Sequence, residues 1–518
     1  MRKVVTVLVL LVVVVAAVLR LYDLGLRPPH HDEGVNGWFT EQVVHNGYYA
    51  YDPANYHGPL YFYLLAGARR VFGFGLWQLR LPGALIGVGA CCLPLLLRRR
   101  IGWAAALAAS AFLAMSPTLV YYARYAIHET LLAALGLLAA ACMLRWSASG
   151  KAGWLFGAAA AIAGMIATKE TTVLFLAAGG LWLAGELAVE SVRARRIMVL
   201  GRPWKPTLRA AALGVALFAL MGAIHVVAYT GAFHQPGSTG GQLWRSVQAY
   251  VLWQHTGVDA SGHFKSGWYY LQIGARYELV LYAFALLGAV VGFRERAVRG
   301  PAIVGLLMLG LYSMIPYKMP WLPTSWLMLL AVPAGYGLAF AIRFVREKRG
   351  QLATLVPLAL ALVPAVAISW RSSFVDPADR SEALAYVHTD VAYTEWFGYV
   401  QTAARAVGAR NLRVAVDSEV TWPLNWSLMP YRLRWGSRGD EDVIIAAENR
   451  ANAVERRLAA RYLRRTFALR DGAQPVVIYL RERAFSHLLD EPALASMRVV
   501  GPPPVVQAMA STAGPRLQ

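Results

Sequence analysis

The chain has 518 residues, 57% of them hydrophobic and only 15% charged, against about 25% charged in an ordinary soluble domain. So little polar surface excludes a soluble enzyme and a disordered scaffold, and apolar runs near the ~20 residues that cross a bilayer recur through residues 1–370, which excludes a single-anchor receptor. The net charge of +21, from 50 Lys+Arg against 29 Asp+Glu, would suggest nucleic acid in a soluble chain. Here most of it lies in short loops between apolar runs, where the positive-inside rule accounts for it, so no nucleic-acid partner is expected.

Taken in chain order, apolar runs fall near 4–19, 79–97, 103–120, 130–146, 152–168, 171–189, 208–230, 277–293, 301–316, 323–342 and 351–370, about 11 spans of which 152–168 and 171–189 are the weakest. Arg2-Lys3 ahead of the first run reads as an uncleaved first span rather than a signal peptide, given the many spans that follow. Cys91, Cys92 and Cys142 all sit inside apolar runs, so no disulfide framework is implied. The clusters Arg98-Arg99-Arg100, Arg145 with Lys151, Arg193–Arg209, Arg294–Arg299 and Arg343–Arg349 share one side if the N-terminus is cytoplasmic.

The opposite, extracytoplasmic side then receives 20–78, 121–129, 168–171, 231–276, 317–322 and the tail 371–518, with nearly all the histidines. In the tail, Arg413–Asp417, Asp442–Ile445 and Pro475–Tyr479 read as short buried strands, and 450–470 has helical spacing with many Arg. The expected architecture is mainly α: a polytopic membrane helix bundle over 1–370 with a small extracytoplasmic α/β domain over 371–518, its last residues poorly ordered. The expected location is the cell membrane, multi-pass.

Four constellations carry the chemistry. Arg27-Pro-Pro-His-His-Asp32-Glu33-Gly34 places two carboxylates beside prolines that fix the backbone, which suits a general base held against a substrate. Asp32 reads equally well as the N-cap of a helix starting near Val35. Arg124 and His128, followed by Glu129, are four apart and share a face if helical; Arg124 is then a counter-ion for a carboxylate or phosphate, or one member of an interfacial Tyr/Arg belt. Thr168-Lys169-Glu170-Thr171 is a tight turn whose Lys169 either holds a phosphate or snorkels and pairs with Glu170. Ile315-Pro-Tyr-Lys318-Met-Pro-Trp-Leu-Pro323 is a stiff loop that presents Lys318, a second phosphate candidate. No G-x-x-x-x-G-K-[ST] loop is present, so ATP-driven transport is not expected. Asp440-Glu-Asp442 reads as a solvated turn before a strand. His30, His31 and His57 are the metal candidates, without an H-x-x-x-H helix pair to support them.

A first span, an Asp-Glu loop, an Arg-containing loop and a Thr-Lys turn, in that order and on one side, resemble the GT-C glycosyltransferases. The nearest likeness is to the protein O-mannosyltransferase and lipid A aminoarabinose transferase branch. Asp32-Glu33 matches its acidic pair, Tyr122-Ala-Arg124 with Glu129 its second-loop motif, and Gly164–Lys169 its Thr-Lys turn. Tyr56-His57-Gly58-Pro59-Leu60-Tyr61, Ile315–Trp321 and Tyr386-Val-His388-Thr389 resemble a narrower, flippase-activity-associated subgroup that is widespread in prokaryotes. The likeness covers 1–345 well and the tail less. His30-His31 is a departure from the mannosyltransferase pattern, which leaves open a divalent metal or a different acceptor.

The resemblance implies sugar transfer from a polyprenyl-phosphate donor to a protein, lipid or polysaccharide hydroxyl, with membrane lipids around the carrier's tail. Asp32 would be the base with Glu33 beside it. Arg124, His128, Glu129, Lys169, Lys318, His57 and Tyr61 would bind substrate. One displacement with one base inverts the anomeric centre. The alternative is a flippase or accessory for lipid-linked sugars without catalysis, which requires polar residues along a full transmembrane path; few charges lie there.

Overall fold

The structure is a computed structural model, and it describes residues 2–502 apart from 56, 260–261, 418–419, 421, 471–473, 487–493 and 495–496. The expected disorder of the last residues falls outside them. The chain separates into two compact units, the first comprising Met1–Arg27 with Asn36–Tyr386 and the second Pro28–Val35 with Val387–Gln518.

The first unit is a helix bundle. Among the described residues eight helices are long and apolar enough to cross a membrane, or ten when each of two bent pairs counts as one span. The run expected at 152–168 forms the 14-residue helix Gly153–Ile166, too short for that test. Helix α1 (Arg2–Leu21) is dominated by Val and Leu. Valine is a modest helix former, but in hydrocarbon each backbone polar group must be paired within its own segment, and that requirement decides the conformation. A short antiparallel pair, β1 (Met198–Val199) with β2 (Arg202–Pro203), lies between two spans.

Spans break where the sequence supplies both a breaker and a partner for the exposed carbonyls. Trp103–Met115 and Pro117–Ala123 meet at 57°, because Pro117 has no N–H to continue the ladder. The orphaned carbonyls of Leu113 and Ala114 accept from the Arg20 guanidinium at 2.7 and 2.8 Å, and Met115 O accepts from Ser369 Oγ at 2.6 Å. Ser116 restarts the helix by capping Leu119 N at 3.3 Å and donates to Glu278 Oε1 at 2.7 Å. Glu278 itself marks the second break, between Tyr269–Tyr277 and Leu279–Val291, at 101°. The helix Leu279–Val291 lies so close to Thr324–Arg349 that a Cβ on Gly288 would stand 1.8 Å from Pro333 O, and one on Gly337 2.2 Å from Phe284 O. Small residues permit this backbone approach, as is usual between membrane helices.

The second unit is an α/β domain around a six-stranded sheet of order β4-β3-β5-β7-β6-β8. Its strands are β3 (Arg413–Val416), β4 (Arg432–Trp435), β5 (Val443–Ala447), β6 (Tyr462–Phe467), β7 (Val476–Arg481) and β8 (Arg498–Val500). The strands β4, β3 and β5 run parallel; β7, β6 and β8 complete the sheet antiparallel. The three expected strands are present. One sheet face buries Val414, Val416 and Ile445 against Tyr393, Trp396 and Val400 of the helix Ala392–Val407. The other buries Ala415, Ile444 and Tyr479 against Ala451, Val454 and Leu458.

Two tail expectations need correction. Helix in 450–470 is limited to Ala451–Glu455, and Tyr462–Phe467 is a strand. Its Tyr, Thr and Phe favour a pleat, and Arg464 and Arg465 find acids on other elements, Glu455 at 2.8 Å and Glu395 at 2.5 Å. The acidic run 440–442 is a turn in which Asp440 stays half exposed, as expected, but its neighbours do not. Glu441 is buried and accepts from Arg438 N at 2.9 Å and Gly439 N at 3.1 Å, while Asp442 accepts from Arg413 N at 3.0 Å.

Candidate active site

The candidate residues divide between the two units. Helix α2 (His31–Asn46) begins at His31, not near Val35, which changes the job of each residue around it. His30 stands at the N-cap: its Nδ1 accepts from Asp32 N at 3.1 Å, and its own N–H donates to Glu33 Oε2 at 2.9 Å. This is the reciprocal arrangement of a capping box, with histidine in the place of Ser or Thr. Glu33 is fully buried in that task. Asp32 is left out of it. Its side chain is 39% exposed and lies 4.0 Å from a His30 nitrogen already engaged as an acceptor. Among the described residues nothing donates a hydrogen bond to its carboxylate.

The rest of the second unit supports this turn. Thr389 Oγ1 donates to Pro29 O at 2.6 Å, and the His388 ring lies 5.7 Å from that of His30. His31 Nδ1 accepts from Arg470, which also feels the charge of Asp32. Burial pushes His31 down to about 4; Asp32 opposes the shift, and Arg470 and His30 add to it. Unfolded, His31 takes up its proton near 6.5, so between pH 6.5 and 4 the unfolded chain binds a proton that the folded chain does not. The stability due to this site is complete above that window and falls as pH drops through it. His31→Asn is expected to flatten the pH dependence of the melting temperature between pH 4 and 7; an unchanged slope would show that His31 does not contribute it.

In the first unit the loop 121–129 is not one helix, so Arg124 and His128 do not share a face as expected. The helix Pro117–Ala123 ends at Arg124, and the next begins at Glu129. The Arg124 guanidinium donates to the carbonyls of Tyr22 at 2.6 Å and Asp23 at 2.8 Å, closing the end of α1. That placement also suits the helix dipole. Burial, with Arg27 and Arg80 nearby, pushes Arg124 down to about 9, still charged at neutral pH. Two more residues of the first unit bond to this loop: Arg27 donates to Arg124 O at 2.9 Å, and Asn36 Nδ2 to Ala126 O at 2.7 Å. Arg27 also lies over the rings of Tyr121 and Tyr125.

The Thr-Lys turn holds its lysine inside. Lys169 does not snorkel; it is buried, its ammonium bonded to Glu129 with the charge of Glu170 beside it. Burial opposes its charge, but Glu129 and Glu170 hold it above the usual lysine range. Glu170 accepts from His57 Nδ1 at 2.9 Å, and His57 with Lys169 brings it below the usual carboxylate range despite burial. The His57 ring is 4.6 Å from that of His128, and the Tyr61 ring 4.9 Å. Burial, His57 and Lys169 push His128 well below the usual histidine range, and its Nε2 has no partner among the described residues. His57, Glu170, Lys169, Glu129, His128 and Tyr61 thus form one cluster in which only His57, a quarter exposed on its side chain, reaches the surface appreciably. Tyr56 lies outside the described residues.

The segment 57–60 is clamped to the turn by Gly58 N to Thr168 O at 3.0 Å and Leu60 N to Ala167 O at 2.9 Å. A Cβ on Gly58 would stand 2.2 Å from Ala167 O. Gly58→Ala is expected to displace His57 from Glu170 and to cost about 1–3 kcal/mol, read as a lower midpoint in detergent-unfolding titrations. An unaltered midpoint would mean that the clamp is not needed. Lys318 is buried in its proline-stiffened loop and donates to Ile315 O. Tyr317 of that loop bridges to Phe264, and Lys318 N donates to His263 O at 3.2 Å. Among the described residues no three His, Cys, Asp or Glu side chains converge as metal ligands. Sequence reasoning missed Arg470, His263 and the buried arginines Arg20 and Arg80, and gave Arg27 no role of its own. Arginines inside or beside apolar runs were the available signal.

Comparisons agree with this architecture. Residues 56–223, less than half of the chain, match the family model described as dolichyl-phosphate-mannose-protein mannosyltransferase. ArnT from Cupriavidus metallidurans, solved bound to undecaprenyl phosphate, superposes with a TM-score of 0.61 at 15% identity, over 91% of this chain and 97% of that one. The oligosaccharyltransferase of Archaeoglobus fulgidus gives 0.54 at 13%, over 90% of this chain and 72% of that one. A structure of that archaeal enzyme, AglB, with an inhibitory peptide and a dolichol-phosphate gives 0.52 at 11%, over 89% and 73%. No curated protein sequence matches the chain. The fold is the GT-C glycosyltransferase fold, shared with ArnT and the archaeal oligosaccharyltransferase, and the protein spans a membrane several times.

Proposed function

We propose that the protein transfers a sugar from a polyprenyl-phosphate carrier to an acceptor hydroxyl at the extracytoplasmic face, with inversion. The observation that carries this reading is the capping of α2 by His30 and Glu33, which leaves the Asp32 carboxylate partly exposed and, among the described residues, without a hydrogen-bond donor. A carboxylate in that state can accept the acceptor's proton as the hydroxyl attacks the anomeric carbon. The phosphate ester is the leaving group, so neither nucleotide nor ATP is consumed. The carriers in the ArnT and AglB structures support a polyprenyl-phosphate donor.

The cations then divide into two roles. His57 and Lys318 stand in clamped loops and are the groups assigned to the donor phosphate. Arg124 positions the end of α1, and Lys169 with Glu129, His128 and Tyr61 positions His57. The test is transfer of label from a panel of radiolabelled polyprenyl-phosphate sugars to membrane acceptors, with and without EDTA, followed by the anomeric configuration of the product. Transfer that survives EDTA and inverts the anomeric centre supports the reading. Retention of configuration would overturn the single displacement. Donor flipping without any transfer would favour the accessory or flippase reading instead.

A further inference from the structure

The second unit contains a cavity of about 100 Å³ that none of the chemistry above uses, lined by Asp417, Ser437, Arg450, Arg457, Ala453 and strand β5. Its place in the sheet is telling. The parallel strands β3 and β5 are neighbours. The chain leaving β3 goes to β4 on one side, while the chain leaving β5 passes over β7 to β6 on the other. The crevice outside the carboxyl ends of two such strands is where open α/β sheets hold ligands. Asp417 directly follows β3, Ser437 lies just past β4, and Arg450 just past β5.

We infer that this crevice binds a single sugar residue carrying an oxyanion, either a phosphate or a carboxylate. The charge balance selects the anion. Asp417, with a side chain only 10% exposed, is held by Arg450 Nε at 2.8 Å. Arg457 is exposed, and no acid or carbonyl partners its guanidinium among the described residues, so the lining carries one cation in excess. A planar guanidinium takes phosphate and carboxylate oxygens as a fork. Asp417 accepts from hydroxyls, and Ala453 and Val454 with Ile444 and Ala446 of β5 supply the apolar wall on which a ring edge rests. The volume holds several waters' worth of ligand, enough for one charged group and part of a ring and too little for a nucleotide.

The test uses the full chain in lipid nanodiscs, with saturation-transfer NMR and calorimetry, and four probes: glucose 6-phosphate, glucuronate, glucose and inorganic phosphate. Saturable binding of one or both anionic sugars, with glucose silent, is expected, and whichever binds identifies phosphate or carboxylate as the recognised group. Arg457→Ala should weaken it roughly tenfold or more, while Arg457→Lys recovers part of the loss and Asp32→Asn leaves it unchanged. Equal binding of glucose would overturn the need for an oxyanion, and equal binding of inorganic phosphate the need for a sugar. No saturable binding, or wild-type affinity in Arg457→Ala, would overturn the site itself.

Discussion

Asp32→Asn is expected to reduce sugar transfer by at least about a hundredfold, the lower range for loss of a positioned general base, without lowering the melting temperature. The two halves of that expectation come from the same turn. Asparagine fills the space of aspartate, and neither hydrogen bond that starts α2 uses the Asp32 side chain, since His30 Nδ1 takes the Asp32 N–H and Glu33 takes the His30 N–H. Glu33→Gln is the contrast. It removes the charge from a fully buried residue that closes the capping box, so its first effect is on stability, with activity falling as the turn loosens. A variant pair in which Asp32→Asn keeps its fold and loses transfer, while Glu33→Gln loses fold, separates base from scaffold. Wild-type transfer in Asp32→Asn would remove Asp32 from the chemistry.

The parts legible in the sequence share a cause. Membrane spans and buried strands are written as runs of apolar residues long enough for the bilayer or the sheet, and β3, β5 and β7 stood out as clearly as the longest spans. The acidic pair and the Thr-Lys turn stood out by type and order. Their partners did not. Arg124 is a phosphate candidate by residue type, but it satisfies backbone carbonyls at Tyr22 and Asp23, and carbonyls have no sequence signature. Arg470 contacts a histidine 439 positions away, a separation at which spacing rules say nothing. The strand at Tyr462–Phe467 was hidden because its arginines occur at a spacing that also fits a helix, and only its pairing with β7 and β8 decides between them. Helical spacing across Arg124–His128 failed for a related reason: the carbonyls at the end of α1 draw Arg124 out of the helix that precedes it.

The second large effect is expected at Lys169. The Lys169–Glu129 pair is buried on both sides, with side chains 8% and 3% exposed, so removing one partner strands a charge that the surroundings cannot solvate. Lys169→Met is expected to cost about 3–5 kcal/mol, seen as a loss of folded protein at low denaturing-detergent fractions. It should cost more than Glu129→Gln, in which Lys169 keeps the neighbouring charge of Glu170. Combining Lys169→Met with Glu129→Leu removes both charges, and a large share of the loss should return, because a well-packed apolar pair replaces a buried ion pair at little cost. Transfer should not return with it, since His57 stands on Glu170 and Glu170 draws its charge from both His57 and Lys169. Recovery of both stability and activity in the double variant would make the pair a packing device alone. Additive losses from the two substitutions would mean that the charges are not coupled.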